Sequence, residues 1–369
     1  MKILGIESSC DETAASVVED GKYLLSNVVN SQIDIHALYG GVIPEIAARN
    51  HIEVINPVIN RALSDANLTW DDIDAIAVTY APGLLGSLLV GNLSARTLAI
   101  TKNKPLYPIH HVEAHVYSNF LIKPQSSNRA AKNTTDTVDN LASSQPQFPL
   151  LALIVSGGHT QIVLFGDHGK YELIGQTRDD AVGEAFDKVA KIIGLPYPGG
   201  PSISKLAPSG NPNAYKFPIA KMSNPYDFSF SGLKTAVLRQ AQQTVGVDIT
   251  YPSLKLSEKL TPEKKADFAA SFQNVAVKTL VEKMQKAYEE YRPKSVVIAG
   301  GVAANQELRR QLVDALPIDI SYAPMELCTD NAAMIATLGY YKSQVVQPTD
   351  PYALEIEPSL SMTATSWSN

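Results

Sequence analysis

His111 and His115 lie four residues apart in the segment IHHVEAHVYSNF, with Pro108 just upstream. On a helix, positions i and i+4 stack on one face, so two imidazoles placed there can share one metal ion. Imidazole suits zinc or iron, and a carboxylate from elsewhere in the chain would complete a triad that leaves positions open for substrate. Asp330, in MELCTDNAAMIATLGYYK, is the candidate third ligand. It stands directly before a helix, which suits an N-cap equally well, and the two roles do not exclude each other. Spacing alone also admits two helical histidines with no metal.

These side chains need elements to carry them. KILGIE (2–7) reads as an apolar strand, SSCDET as a polar turn and AASVVED as a returning strand. The turn holds Ser8, Ser9, Cys10, Asp11, Glu12 and Thr13. Its hydroxyls and backbone N–H groups suit a phosphate, and an ordinary polar hairpin shares the pattern. A helix follows near Pro44, with His36, Glu45, Arg49 and His51 read as solvated or capping residues. IDAIAVT (73–79) reads as a buried strand, APGLLGSLLVGNLSARTLAI as a Pro-Gly turn and a helix, and 105–109 as the strand that delivers the histidines. Strand, helix and strand in this order indicate an α/β domain with a mixed sheet.

Pro124 to Pro149 is rich in Ser, Asn, Thr, Gln and Ala without an apolar period, and reads as an insertion or linker. The opening pattern then recurs. Leu150–Val155 is a strand, Ser156-Gly157-Gly158-His159-Thr160 a turn, and QIVLFG a returning strand, which indicates an internal duplication. Glycines in that turn let backbone approach a ligand, and His159 either meets such a ligand or folds back on the turn. A helix is expected over 177–194, a tight loop at YPGGP (197–201), an aromatic loop entering a helix at 224–238, and a long amphipathic helix or a pair of helices over 261–288. SVVIAGGVAANQEL (295–308) reads as strand, Gly-Gly turn and helix start, a layout that suits nucleotide binding at a strand's carboxyl end. The tail after Lys342 reads as extended and disordered at its end. The expected organisation is an N-terminal lobe (1–123), an insertion (124–149), a C-terminal lobe (150–345) and a tail (346–369).

At 369 residues the chain is long for one core, and two domains or lobes are expected. No run approaches a membrane span, and MKILGIESSCDE carries charge too early for a secretory signal. Two cysteines, Cys10 and Cys328, with no CxxC fit a reducing cytoplasm. A formal net charge of −6 argues against nucleic-acid binding through overall charge and leaves room for a local basic patch or a basic partner. Neither GxxxxGK[ST] nor GxGxxG occurs.

The motifs GIESSCDETAASVV, HALYGGVIPEIAARNHI, APGLLGSLLVGNLSAR, HHVEAH, VSGGHTQIV, GEAFDKVAKIIGLPYPGGP, FSFSGLKTAV, AGGVAANQELR and CTDNAAMIA follow one another along nearly the whole chain. In this order the sequence resembles the tRNA threonylcarbamoyladenosine transferase family of the bacterial TsaD type, formerly described as O-sialoglycoprotein endopeptidases. The resemblance implies an α/β, two-lobed actin/sugar-kinase/Hsp70-like (ASKHA) fold with a central cleft. It implies one divalent metal ion, Fe2+ or Zn2+, on His111, His115 and Asp330. It places threonylcarbamoyl-AMP against Val155, Ser156, Gly157, Gly158, His159, Asp187, Gly200 and Asn305. It puts Ser9, Asp11 and Glu12 in the catalytic N-terminal loop, with Asp11 and Glu12 as candidate catalytic residues and Ser9 toward substrate.

The implied partners are tRNA, a paralogous inactive subunit of the TsaB type, a small ATPase of the TsaE type and a second copy of the chain as a homodimer. The implied reaction moves threonylcarbamoyl from its adenylate to N6 of adenosine 37 in tRNAs reading ANN codons. Two departures from the pattern stand out: Ala81 replaces a common Gly, and 125–147 is longer than usual. The rival readings are a small-molecule kinase on the same fold, a non-catalytic scaffold and a metallopeptidase. Zincin peptidases need Glu directly after the first histidine, and here Val112 occupies that place, with Glu113 about 100° further round a helix.

Overall fold

β1 (Lys2–Glu7) is apolar from Ile3 to Ile6, and its side chains are buried on both sheet faces. Such a strand suits the middle of a covered sheet. It pairs antiparallel with β2 (Glu12–Glu19), which pairs antiparallel with β3 (Tyr23–Ser31) at the edge. The chain continues through a short α1 (Ile33–Ala37) and α2 (Pro44–Asp65), whose Pro44 opens the first turn. β4 (Ala75–Ala81) pairs parallel with β1. α3 (Leu85–Lys102) ends at Asn103 in the left-handed conformation (φ 50°), and β5 (Leu106–His110) pairs parallel with β4. α4 (His111–Tyr117) starts on the residue after β5. The carboxyl ends of β1, β4 and β5 therefore lie side by side, the edge where α/β sheets hold ligands. The sheet order is β3-β2-β1-β4-β5.

The computed structural model describes residues 1–123, 135–364 and 367. Of the Ser/Asn-rich stretch, 124–134 lies outside the described residues, and the remainder includes one short helix, α5 (Thr135–Asp139).

β6 (Leu150–Val155), β7 (Thr160–Asp167) and β8 (Lys170–Gln176) follow; β8 is a third strand beyond the expected strand–turn–strand. α6 (Val182–Ile193) begins later than the expected 177. The reason lies in the preceding residues. The Thr177 hydroxyl donates to the Asp180 carbonyl, and the Asp179 carboxylate accepts from the Ser229 and Ser231 hydroxyls and the Phe230 N–H, so 177–181 is spent on tying down the aromatic loop. Next come α7 (Gly199–Leu206), α8 (Ser231–Thr244), the 30-residue α9 (Pro262–Tyr291), β9 (Ser295–Ala299), α10 (Gln306–Ala315) and β10 (Ile320–Tyr322). The second sheet runs β10-β9-β6-β7-β8. Substituting β6–β10 for β1–β5 reproduces the first sheet's order, which is the duplication the two turns announced.

α11 (Met325–Cys328) and α12 (Ala332–Ser343) follow, and α12 packs on β1, β2 and β4. Its small residues make that packing close. A Cβ on Gly5 would lie 2.2 Å from the Ala332 carbonyl oxygen, and one on Gly339 would lie 2.5 Å from Ala77 Cβ. Met1–Leu150, Phe165–Glu172 and Ser321–Asn369 form one compact unit, and Leu151–Leu164 with Leu173–Ile320 form the other.

The tail is extended as expected, yet specifically held: Arg96 donates to the Pro351 and Tyr352 carbonyls, Glu357 N–H to Tyr80, and Leu354 and Met362 are buried. The disorder expected at its end falls largely on 365, 366, 368 and 369, outside the described residues. No helix among the described residues is long and apolar enough to cross a membrane.

Candidate metal centre and nucleotide-binding tips

His111 and His115 sit one turn apart on α4, both buried, with ring centroids 4.7 Å apart. α12 brings Asp330 to them: Asp330 Oδ1 is 3.5 Å from His111 Nε2 and 3.4 Å from His115 Nε2. The N-cap of α12 is Asn331, which accepts from the Met334 N–H at 3.0 Å, so capping falls to the neighbour of Asp330. One ligand atom from each of His111, His115 and Asp330 lies within 4.8 Å of the others.

Three observations test whether these residues fit a metal. A tetrahedral ion with bonds of about 2.1 Å has ligand atoms about 3.4 Å apart, the spacing found between each Nε2 and Asp330, and the widest separation in the set, 4.8 Å, closes by a small inward shift of the side chains. Among the described residues neither ring nitrogen of the buried His115 finds a hydrogen-bond partner, a costly state for a polar group that an ion would relieve. The surroundings also favour a cation. Burial opposes charge on His111, but the Asp330 and Glu7 carboxylates raise its pKa to about 9. The residues fit.

The N-terminal loop is bound into the same region. Ser9 Oγ lies 3.1 Å from His111 Nδ1, and the Ser9 carbonyl accepts from Leu84 N–H. Burial, then the Asp330 and Asp11 carboxylates, push Glu12 well above the ordinary carboxylate range; its Oε1 accepts from the Ser31 hydroxyl at 3.1 Å. Asp11 is buried, with its carbonyl accepting from Gln32 N–H. Burial, then Asp11, raises the Cys10 thiol far above its usual range, which disfavours the thiolate.

Three further groups belong here and carry little signal in the sequence. His51, whose position suggests a solvated or capping residue, is fully buried: its Nδ1 accepts from the Thr13 hydroxyl (2.7 Å) and its Nε2 donates to the Cys10 carbonyl (3.0 Å), which pins the loop. His36 is buried as well, and Ile43 N–H donates to it, while Glu45 and Arg49 are exposed. Glu7 is fully buried at the end of β1 and 3.0 Å from His111 Nδ1. A strand-end acid in an apolar run was the available signal. Glu113 faces elsewhere. It accepts from Trp367 Nε1 at 3.1 Å and lines a cavity of about 290 Å³ with Tyr80, His110 and Lys342, where burial raises it to about 7.

In the other unit the turn after β6 closes on itself. Ser156 N–H donates to the His159 carbonyl (2.8 Å), and His159 N–H to Ser156 Oγ (3.1 Å). Gly157 and Gly158 are exposed, and a Cβ on either would meet nothing within 4 Å. The chain itself does not need glycine there, whereas a ligand approaching the backbone would. Two other glycines are needed by the fold. A Cβ on Gly183 would lie 2.5 Å from the Ser156 carbonyl oxygen. One on Gly300 (φ 90°) would lie 2.4 Å from that of Val155. The start of α6 and the turn after β9 thus abut the end of β6.

Asp187 accepts from Gly199 N–H at 2.7 Å, and Gly200 beside it is open. Asn305 caps α10 through Leu308 N–H (3.0 Å) and donates to Ser204 Oγ (2.9 Å) and Gln273 Oε1 (3.0 Å). The structure brings Val155–His159 together with Gly183 and Gly300, Asp187 together with Gly199, and Asn305 together with Ser204.

Two mixed sheets of matching strand order, one with a histidine–histidine–aspartate cluster near the carboxyl ends of its parallel strands, define an α/β enzyme of the actin/sugar-kinase/Hsp70-like class. A family model described as tRNA N6-adenosine threonylcarbamoyltransferase matches residues 23–129 and 136–337, and the chain belongs to that family. Relatives bearing that name include one from Symbiobacterium thermophilum, 50% identical over 92% of this chain and 91% of the relative. Another, from Thermomicrobium roseum, is 49% identical over 93% and 92%. A third, from Dehalococcoides mccartyi, is 45% identical over 99% and 100%. Among solved structures, full-length HypF in its phosphate- and nucleotide-bound form superposes with a TM-score of 0.53 at 14% identity, over 95% of this chain and 47% of that one, a likeness of fold. The protein is accordingly a transferase of tRNA modification.

Proposed function

We propose that this enzyme transfers the threonylcarbamoyl group of threonylcarbamoyl-AMP to N6 of adenosine 37, 3′ to the anticodon of tRNAs reading ANN codons, and releases AMP. The observation that carries the reading is the His111–His115–Asp330 cluster with its unbonded His115 nitrogens, in a chain of this family. The adenylate is a mixed anhydride with AMP as a good leaving group, so the work left to the protein is orientation and stabilisation of charge. His111, His115 and Asp330 would hold one Fe2+ or Zn2+, which when bound supplies Lewis acidity toward the threonylcarbamoyl group.

The remaining roles belong to the chain's own residues. The N–H groups of Gly157 and Gly158 approach the phosphate, Ser156 and His159 close the turn that presents them, and Val155 lies behind. Asp187 and Gly200 line the nucleotide's side of that region, and Asn305 supports it through α10 and Ser204. Ser9 faces the transferred group, and Asp11 or Glu12 accepts the proton leaving the adenosine amine. The acidic net charge puts tRNA contact on local Lys/Arg patches or on partners of the TsaB and TsaE types, in the cytoplasm, with the chain alone or as a homodimer. A kinase on this fold has no use for the histidine pair. A peptidase would need Glu113 beside it, and Glu113 bonds Trp367 instead.

The test supplies labelled threonylcarbamoyl-AMP and unmodified ANN-decoding tRNA to the purified chain, alone and with partners. Label on the tRNA is expected. Its absence on tRNA proven competent, with partners present, would overturn the reading.

A further inference from the structure

We propose that Glu7 is a positioning residue of the metal cluster, holding His111 by Nδ1 so that Nε2 is the nitrogen presented to the ion. This rests on the proposed reading of His111, His115 and Asp330 as a metal site. Glu7 is fully buried, and its carboxylate accepts three hydrogen bonds. Oε1 accepts from Ser9 N–H at 2.5 Å. Oε2 accepts from the Thr79 hydroxyl at 2.6 Å and from His111 Nδ1–H at 3.0 Å. With both oxygens committed, Glu7 is outside the ligand set and behind it. The other nitrogen of the same ring, Nε2, lies 3.5 Å from Asp330 Oδ1.

The sheet builds this arrangement. Glu7 ends β1, Thr79 lies in β4 and His111 follows β5, three neighbouring parallel strands with Ile6 opposite Val78 and Thr79 opposite Ile109. A buried carboxylate at this point contributes nothing to the apolar core and costs desolvation. What it gives is a fixed ring. Metal-bound histidines commonly donate their second N–H to a carboxylate, which sets tautomer and orientation and raises ligand basicity; losing that partner typically costs about 10–100-fold in metal affinity. Among the described residues His115 has no such partner, so the whole effect is assigned to the His111 side of the pair.

The experiment measures Co2+ affinity of the full metal-free chain by its visible absorption, with Zn2+ competition, for wild type, Glu7→Gln, Thr79→Val and His115→Ala. Glu7→Gln keeps the volume and removes the charge. It is expected to bind Co2+ about 10–100-fold more weakly with altered band intensities. Thr79→Val frees one bond to Oε2 and is expected to weaken binding several-fold. It carries the test if Glu7→Gln does not fold. Unchanged Co2+ affinity in a folded Glu7→Gln protein, or in Thr79→Val where that is the readable variant, overturns the proposal; a purely structural carboxylate would lower stability and leave affinity alone. His115→Ala separates the two readings. If wild type and His115→Ala bind Co2+ alike, the metal site itself is wrong and the role of Glu7 falls with it.

Discussion

The two halves of the duplication place opposite kinds of group at the ends of the same strand order. After β1 and β5 the chain presents side chains: Glu7, Ser9, Asp11, Glu12, His111 and His115 are buried or nearly so, and hydrogen bonds from His51, Thr79 and Ser87 hold the region. After β6 and β9 it presents backbone. Gly157, Gly158 and Gly301 leave open space where a Cβ would be, while Gly183 and Gly300 are glycine because the chain passes too close for anything else. A cation needs fixed, charged donors in a low-dielectric setting, and a phosphate is served by N–H groups with nothing in front of them. Duplication supplied the scaffold, and on the proposed reading the residues at the strand ends divide the work.

The largest test of that division removes a side chain from the first half. His115→Ala or Asp330→Ala is expected to abolish tight metal binding and lower single-turnover transfer at least about 100-fold while the fold persists, because on the proposed reading each removes a ligand. Circular dichroism with inductively coupled plasma metal analysis checks it, and retained metal in Asp330→Ala would break the comparison. Next in size is a pair of glycines in the second half. Gly300→Ala is expected to destabilise by about 2–4 kcal/mol, from a strained φ and the Val155 carbonyl in its path. Gly157→Ala should change stability by less than about 0.5 kcal/mol and instead weaken adenylate binding. Urea denaturation and calorimetric titration with a non-hydrolysable adenylate analogue separate the two.

Asn305→Ala sharpens the assignment of that residue. Losing the α10 cap and two side-chain bonds should cost about 1–3 kcal/mol, and urea denaturation measures it. An effect on adenylate affinity without loss of stability would show that Asn305 serves the ligand rather than the helix.

The smallest effect concerns pH. His168 stacks on Tyr341 (centroids 3.8 Å apart), edge-on to Phe148, and Tyr117 Oη bonds its Nδ1 at 3.1 Å. Burial lowers its pKa to about 4. Because this lies below the unfolded value of about 6.5, its stabilising contribution is complete above 6.5 and is lost as pH falls from there to about 4. His168→Phe should flatten the decline of melting temperature across that window.

Much of this was legible in the sequence, for identifiable reasons. The repeated strand–turn–strand showed because strand periodicity and glycine tips are local, and the histidine pair showed because its spacing is. Asp330 stands out as a candidate third ligand directly before a helix, the resemblance pairs it with the histidines, and the 3.4 Å and 3.5 Å approaches give that pairing a geometry. Glu7 and His51 were not legible as partners. Each acts through a residue 104 or 38 positions away, and nothing in a strand-end Glu or a helical His announces its partner. The late start of α6 was missed because 177–181 looks helical by itself and is held out of the helix by Ser229, Phe230 and Ser231. The hold of the tail on the first unit, ending at Trp367 on Glu113, likewise depends on contacts that no periodicity encodes.

The most direct test of the central claim is an anomalous difference map from crystals of the chain grown with Zn2+ and collected at the zinc edge. The account predicts one strong peak within bonding distance of His111 Nε2, His115 Nε2 and an Asp330 oxygen, with Glu7 still on His111 Nδ1. A peak elsewhere, or none at full zinc occupancy in solution, would contradict it.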